Sequence, residues 1–349
     1  MTVAPTNTAS KAAPPAARPR GSPLAYLLRF QSLFGLVLVL IGGIIFSPRR
    51  HGHILFLAPE NVANIVRSIS ETGILALGMT FVIIAAGIDL SVGAVLGLGS
   101  VLTAALLINE GWGIASTIIV VLIAGTLFGL AQGAISTRLR IQAFIVTLAG
   151  LQAARGLALI ASDNQFINIT YGEGPNNAPA GFAILGERLF GDTFPVATLV
   201  FLLLAAVATF VLNNTRYGRY VFAVGGNERA ARLSGIPVEW VKISVYGLSG
   251  LCAAIAGIVH AGQFSFGSPN DGSGYELNAI AAVVIGGTDL FGGAGTMTGT
   301  IAGSVMLGAL ANILQLNDVS AAMQLLATGA IIVLAAALQT FVGGGGRSR

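Results

Sequence analysis

An all-α, polytopic membrane bundle is the fold class this sequence predicts, and three observations predict it. Hydrophobic residues make up 54% of the 349 and charged residues only 9%, with a mean hydropathy of +0.83, so most of the chain faces lipid rather than water. Apolar runs of spanning length recur about ten times along the chain. Glycine, at 47 residues, exceeds the roughly 7% of ordinary proteins, as expected where helices approach closely without a hydrophobic force between them.

Residues 1–26 are rich in Ala and Pro, carry Lys11, Arg18 and Arg20, and read as a disordered tail kept on the cytoplasmic side. The apolar run that follows ends in SPRRHGH with no small-residue cleavage site, which predicts a retained first span rather than a signal peptide. The apolar stretches then fall near 27–46, 68–88, 91–108, 113–135, 143–162, 194–213, 241–264, 277–290, 297–316 and 320–341. The eighth is short for a span, which predicts a broken or re-entrant helix there. A membrane domain over 27–342 and a short tail over 343–349 complete the division.

Orientation follows from Lys and Arg. With the N-terminus inside and ten alternating spans, the cytoplasmic side receives the first tail, Arg138, Arg140, the 213–242 loop, Arg347 and Arg349. That loop holds Arg216, Arg219, Arg229, Arg232 and Lys242 against Glu228 and Glu239, whereas the 163–193 loop, placed outside, holds Asp163, Glu173, Glu187 and Asp192 against Arg188. Arg49 and Arg50 depart from the rule. The basic residues are scattered between apolar spans, so a net charge of +4 reflects topology and not nucleic-acid binding. The single Cys252 supports neither a disulfide framework nor a cysteine metal site.

An internal echo appears at an offset of 200 residues: AGIDLSVG at 86–93 against GGTDLFGG at 286–293. It predicts a pseudo-repeat of two halves, parallel or inverted.

Within the basic loop, NERAARLSGIP (227–237) has the signals of a short helix. Asn227 is a good N-cap, Glu228 lies in the first turn and Arg232 near the last, Gly235 suits the position after the helix and Pro237 stops it. Such a helix, about 10 Å long, cannot span. It is either a docking knob for a soluble partner or a basic helix resting on anionic headgroups.

These residues carry a resemblance. NNTRYGRYVFAVGGNERAARLSGIPV from 213, GIDLSVG at 87–93 and GYELNAIAAVVIGGTDLFGGAGTMTGTIAG at 274–303 resemble the permease subunits of bacterial ABC importers for ribose, xylose, arabinose and related monosaccharides, over about residues 60 to 341. The resemblance implies that 227–236 seats in a cleft of an ATP-hydrolysing subunit. Coupling then falls on Asn227, Glu228, Arg229, Ala230, Ala231, Arg232, Gly235 and Ile236. It further implies a multi-pass protein of the bacterial inner membrane with both termini cytoplasmic, a second permease copy, a periplasmic sugar-binding protein, and alternating access. No cofactor is expected on this chain, since ATP and Mg would be used by the partner. Asp289 stands where the family more often has Ser, and Asn278 where it often has Asp.

Polar residues in apolar stretches are costly against lipid and mark candidates for the substrate path. Asp89 and Ser91 either face the path or cap the helix opening at Leu90. Gln152 and Arg155 lie one turn apart in the fifth stretch, where they serve a sugar's hydroxyls or an interhelical bond. Glu276 and Asn278 open the eighth segment with the same two readings. His260 reads as a structural histidine, and the rows Gly125, Gly129, Gly133 and Gly295, Gly299, Gly303 read as packing faces. There is no phosphate-binding loop, because neither Lys11 nor Lys242 sits in one, and no His/Cys/carboxylate motif has metal spacing. The chain is therefore expected to be a transport subunit without enzymatic activity. A branched-chain amino acid or nucleoside cargo, and an ion-coupled secondary mechanism, are the competing readings. The scarcity of charge for the first and of a protonatable relay for the second favours a neutral sugar moved by ATP.

Overall fold

The computed structural model describes residues 31–50, 52–174, 176–189 and 193–343. The tail over 1–26, residues 344–349 of the second tail and Asp192 lie outside the described residues, whereas Gly343, expected in the second tail, ends the last helix. Ten apolar helices follow the ten expected stretches. Seven are long and apolar enough to cross a membrane: α2 (Pro59–Ile84), α3 (Val92–Ala104, prolonged by a π-turn over Ala105–Asn109), α4 (Ile114–Arg138), α5 (Ala143–Ala161), α6 (Val196–Asn214), α9 (Val238–Phe264) and α11 (Met297–Leu316). Three are shorter in their described apolar part: α1 (Gln31–Ile45), α10 (Tyr275–Ile285) and α12 (Ala321–Gly343). The basic loop contributes α7 (Arg216–Gly226) and α8 (Glu228–Leu233).

Helices α2, α3 and α9 form the interior, and α4, α5 and α6 turn most of their surface outward. Outward residues such as Ile123, Leu127, Leu203 and Phe210 are exposed, the pattern expected of a lipid-facing shell. The core depends on small residues. A Cβ on Gly129 of α4 would lie 2.1 Å from the Tyr246 carbonyl of α9, and one on Gly303 of α11 would lie 2.0 Å from that of Ala282 in α10. Gly129 and Gly303 thus permit contact of backbone on backbone, whereas Gly295 precedes α11 and faces the Thr288 side chain, so Gly295, Gly299 and Gly303 do not form the one helical face expected.

The start of α2 precedes the apolar stretch by nine residues because its first turns, PENVANIVR, are polar and lie at the end of the bundle where Asn61 exchanges hydrogen bonds with Asn312. At that same end Arg49 and Arg50 form β1 (Arg49–Arg50), paired with β2 (His53–Ile54). The long polar loop is tied there too. Its β3 (Ile167–Asn168) pairs antiparallel with β4 (Phe266–Gly267), and Arg188 donates to Asn64.

The echo has a structural counterpart at the opposite end. Helix α2 closes with Gly87 N–H donating to the Val82 carbonyl around Ala86 at φ 60°, and α10 closes with Thr288 N–H donating to Val283 around Gly287 at φ 88°. After each closure an aspartate accepts from the backbone two residues on, Asp89 from Ser91 at 2.9 Å and Asp289 from Phe291 at 2.9 Å. The two segments touch, since Gly293 N–H donates to the Ile84 carbonyl at 2.8 Å. Helices α2 and α10 both run toward this end and α3 and α11 both leave it, so the two copies of the motif run in parallel.

Candidate functional site

The short helix expected at 228–234 is observed as α8, one residue shorter. The Asn227 side chain accepts from Ala230 N–H at 3.0 Å, and Gly235 takes φ 80° with its N–H on the Arg232 carbonyl, the capping geometry that glycine permits. Charges fix α8 to α9: Glu228 meets Lys242 at 2.8 Å and Arg232 at 3.2 Å, and Arg232 reaches Glu239 at 3.9 Å. The hydrogen bond from Lys242 holds the Glu228 carboxyl below the ordinary carboxylate range, with the positive charges adding to it. A depressed folded-state pKa gives a contribution that is present near neutrality and lost only as pH falls through it. These groups are exposed, so the contribution is small.

Around α8 the sequence missed α7, an amphipathic helix that wedges the knob against the bundle. Gly225 lies so close beneath the Ile84 carbonyl that a Cβ there would approach it to 1.7 Å. Tyr217 hydroxyl bonds with Ser244 at 2.9 Å, and its ring packs edge-on against Trp240. Ala231 is buried, so it packs into the chain's own core, and its small size is explained without a partner's cleft. The outward face is Arg229, Ala230, Arg232 and Leu233, the last 85% exposed. A cavity of about 650 Å³ opens beside it, lined by Ala86, Ile88, Arg140, Gln142, Glu228 and Lys242 among others.

The six candidate path residues do not converge on one point. Asp89 is fully enclosed, accepting from the Ser91 hydroxyl at 2.6 Å and the Ser249 hydroxyl at 2.8 Å, while Gln132 donates to Ser91 at 2.9 Å. That set ties the loop before α3 to α4 and α9. The helix itself opens at Val92, two residues later than expected, so Asp89 holds the turn before the N-terminus. Arg155 on α5 donates to the carbonyls of Pro269 and Asp271. Glu276 approaches the first turn of α3, where a Cβ on Gly93 would lie 2.3 Å from its Oε2. Helix N-termini favour such negative charge. Gln152 is exposed on α5, and Asn270 and Ser273 are exposed beside Arg155's acceptors. Asn278, two residues from Glu276, is rotated by about 200° around α10. It lines a separate cavity of about 410 Å³ with Ser68, Thr72, Tyr275, Ser304 and Gln324.

The structure adds a cluster that sequence reasoning did not assemble. His260 Nδ1 lies 2.9 Å from Glu71 on α2, and its Nε2 lies 3.3 Å from Asp271. Asp271 also accepts from the Ser100 hydroxyl and the Ser268 N–H, each at 2.8 Å. The 265–274 segment is thereby anchored to α2, α3 and α9. Non-helical backbone enclosed between helices requires such protein partners. A lone Glu71 inside an apolar helix was the available signal, because an intramembrane carboxylate needs a partner.

The chain's residues 61–336 match the family described as the branched-chain amino acid transport system / permease component. The chain belongs to that family. Among its relatives, the ribose import permease protein RbsC of Haemophilus influenzae is 40% identical over 288 residues, covering 82% of this chain and 87% of that protein. RbsC of Escherichia coli K12 is 39% identical over 314 residues, covering 89% and 93%. The xylose transport system permease protein XylH of E. coli K12 is 35% identical over 334 residues, covering 80% and 84%. No solved structure matches the chain. Family membership agrees with the polytopic helical fold.

Proposed function

We propose that this chain is the translocation subunit of an ATP-driven importer that carries a monosaccharide into the bacterial cell by alternating access. ATP and Mg are used by a separate ATPase subunit that seats on α8. A periplasmic binding protein delivers the sugar at the opposite end, and a second permease copy completes the path. The sugar class comes from the ribose and xylose permeases that the chain resembles. The observation that carries the mechanism is α8, a projecting knob wedged through α7 onto the end of α2 and the loop at Gly293 after α10, and clamped to α9. A displacement there reaches the interior helices directly.

Orientation rests on the basic 213–242 loop. Single cysteines at Ala230 and at Asn177, in a Cys252→Ala background, test it. The first should react only with reagents that cross the membrane and the second with impermeant ones, and the reverse pattern would overturn the topology.

The path runs beside Gln152, Arg155 and Glu276. Polar groups exposed at membrane depth are costly against hydrocarbon, so this strip faces water or another copy. Both observed hydrogen-bond acceptors of Arg155 are backbone carbonyls, and the neutral-sugar reading rests on the ribose and xylose permeases that the chain resembles. Alanine at Gln152, Arg155 and Glu276, singly, is expected to raise the sugar concentration for half-maximal uptake or to lower the rate, by about tenfold for Arg155, the loss of one charged hydrogen-bond set. Unchanged uptake curves in all three, at normal expression, would remove the path from this surface.

A further inference from the structure

A groove runs along the outer surface between α4, α6 and α9, lined by Leu130, Val211, Tyr217, Trp240, Gly247 and Leu251 among others. It presents almost no free polarity. Thr126 and Thr215 turn their hydroxyls onto the carbonyls of Leu122 and Val211, and Ser244 is bonded to Tyr217. From Trp240 to Leu251 it extends roughly 16 Å along α9. With a volume of about 450 Å³, its mean cross-section is about 28 Å². That length and volume accommodate a single hydrocarbon chain lying along the groove.

Its mouth is of a different character. Trp240 also lines an adjoining cavity with Arg138, Arg232 and Glu239. Arg232 and Glu239 pair with each other, whereas Arg138 has no ion pair among the described residues. Arg216 lies between the lining residues Thr215 and Tyr217, is exposed, and is likewise without an ion pair among the described residues. It occupies the first position of α7, where a cation opposes the helix dipole and gains from an anion nearby. Tryptophan and arginine together at the end of an apolar groove match the layering of a membrane interface.

We propose that this groove is a binding site for one anionic phospholipid, with an acyl chain along Gly247 and the headgroup at Arg138 and Arg216 beside Trp240. Such a lipid abuts the α7–α8 unit through Tyr217 and Trp240, and so stabilises the platform on which the knob rests.

Trp112→Phe leaves Trp240 as the sole tryptophan, because the chain has two. In bilayers of phosphatidylcholine, brominated phosphatidylglycerol should quench its fluorescence at a lower mole fraction than brominated phosphatidylcholine does. Arg138→Ala and Arg216→Ala should each reduce that preference about fivefold, the weight of one basic residue at a lipid surface, while Arg49→Ala at the other end of the bundle should not. Equal quenching by the two lipids would mean ordinary annular lipid only and would overturn the site. Absence of quenching by either would mean that protein fills the groove, with the same consequence. An equal loss in Arg49→Ala would reduce the effect to net charge and reject the site as well. The readout involves no transport, so it stands or falls separately from the sugar-import reading.

Discussion

Leu233→Asp is expected to abolish coupled transport while leaving the permease folded and inserted. The residue is 85% exposed at the tip of α8 and touches nothing that holds the helix in place, so an aspartate there costs the isolated chain little. In a partner's cleft the same carboxylate would be desolvated with only Arg229, one turn back on α8, to offset it, a loss of about 3 kcal/mol, enough to reduce retention of the ATPase by about a hundredfold. Copurification of the ATPase with the variant, and the stimulation of its ATP hydrolysis by the permease, are the two readouts. A membrane-surface role for α8 predicts instead full copurification and unchanged uptake. Ala231→Trp is a different experiment. Ala231 is buried, so a tryptophan disrupts the seat of α8 from within and its failure would not speak for a partner.

Asp271→Ala is expected to have the largest effect on the fold itself. Its carboxylate serves His260, the Ser100 hydroxyl and the Ser268 N–H at once, and its loss leaves Glu71 and His260 with their neighbours rearranged. Breaking a buried ionic set by removing one partner costs ~3–5 kcal/mol. The 265–274 segment should detach from α3, lowering the thermal stability of the detergent-solubilised protein and increasing exchange of the segment's amides. Asp271→Asn retains an acceptor and should lose less. Equal, wild-type stability in both variants would show that the cluster does not anchor the segment.

The positions of the ten apolar helices were legible because each span reports on itself through local hydropathy. Other features depend on partners far away in sequence. Helix α7, RYGRYVFAVGG, has polar, aromatic and glycine residues in a pattern that makes sense only once Gly225 is seen against Ile84 and Tyr217 against Ser244. The polar opening of α2 lies outside any hydropathy window, and its registration comes from Asn312. Which face of α8 looks outward was not legible either, since Ala230 and Ala231 are chemically alike and only the docking of α7 turns one out and the other in. The aspartates of the echo were visible, and their common role as acceptors for the residue two places on was not. Glu276 and Asn278 were grouped by proximity along the chain, and helical rotation sends them to opposite sides of α10.

The central claim, that this permease moves a neutral sugar by a partner's ATP hydrolysis, is tested most directly by uptake of labelled ribose and xylose into proteoliposomes. These would hold the chain with its ATPase, with the periplasmic binding protein supplied outside, and with and without internal ATP. The account predicts accumulation of one of the sugars that requires ATP, survives a proton ionophore and is lost in Leu233→Asp. Accumulation that proceeds without ATP and collapses with the ionophore would contradict it.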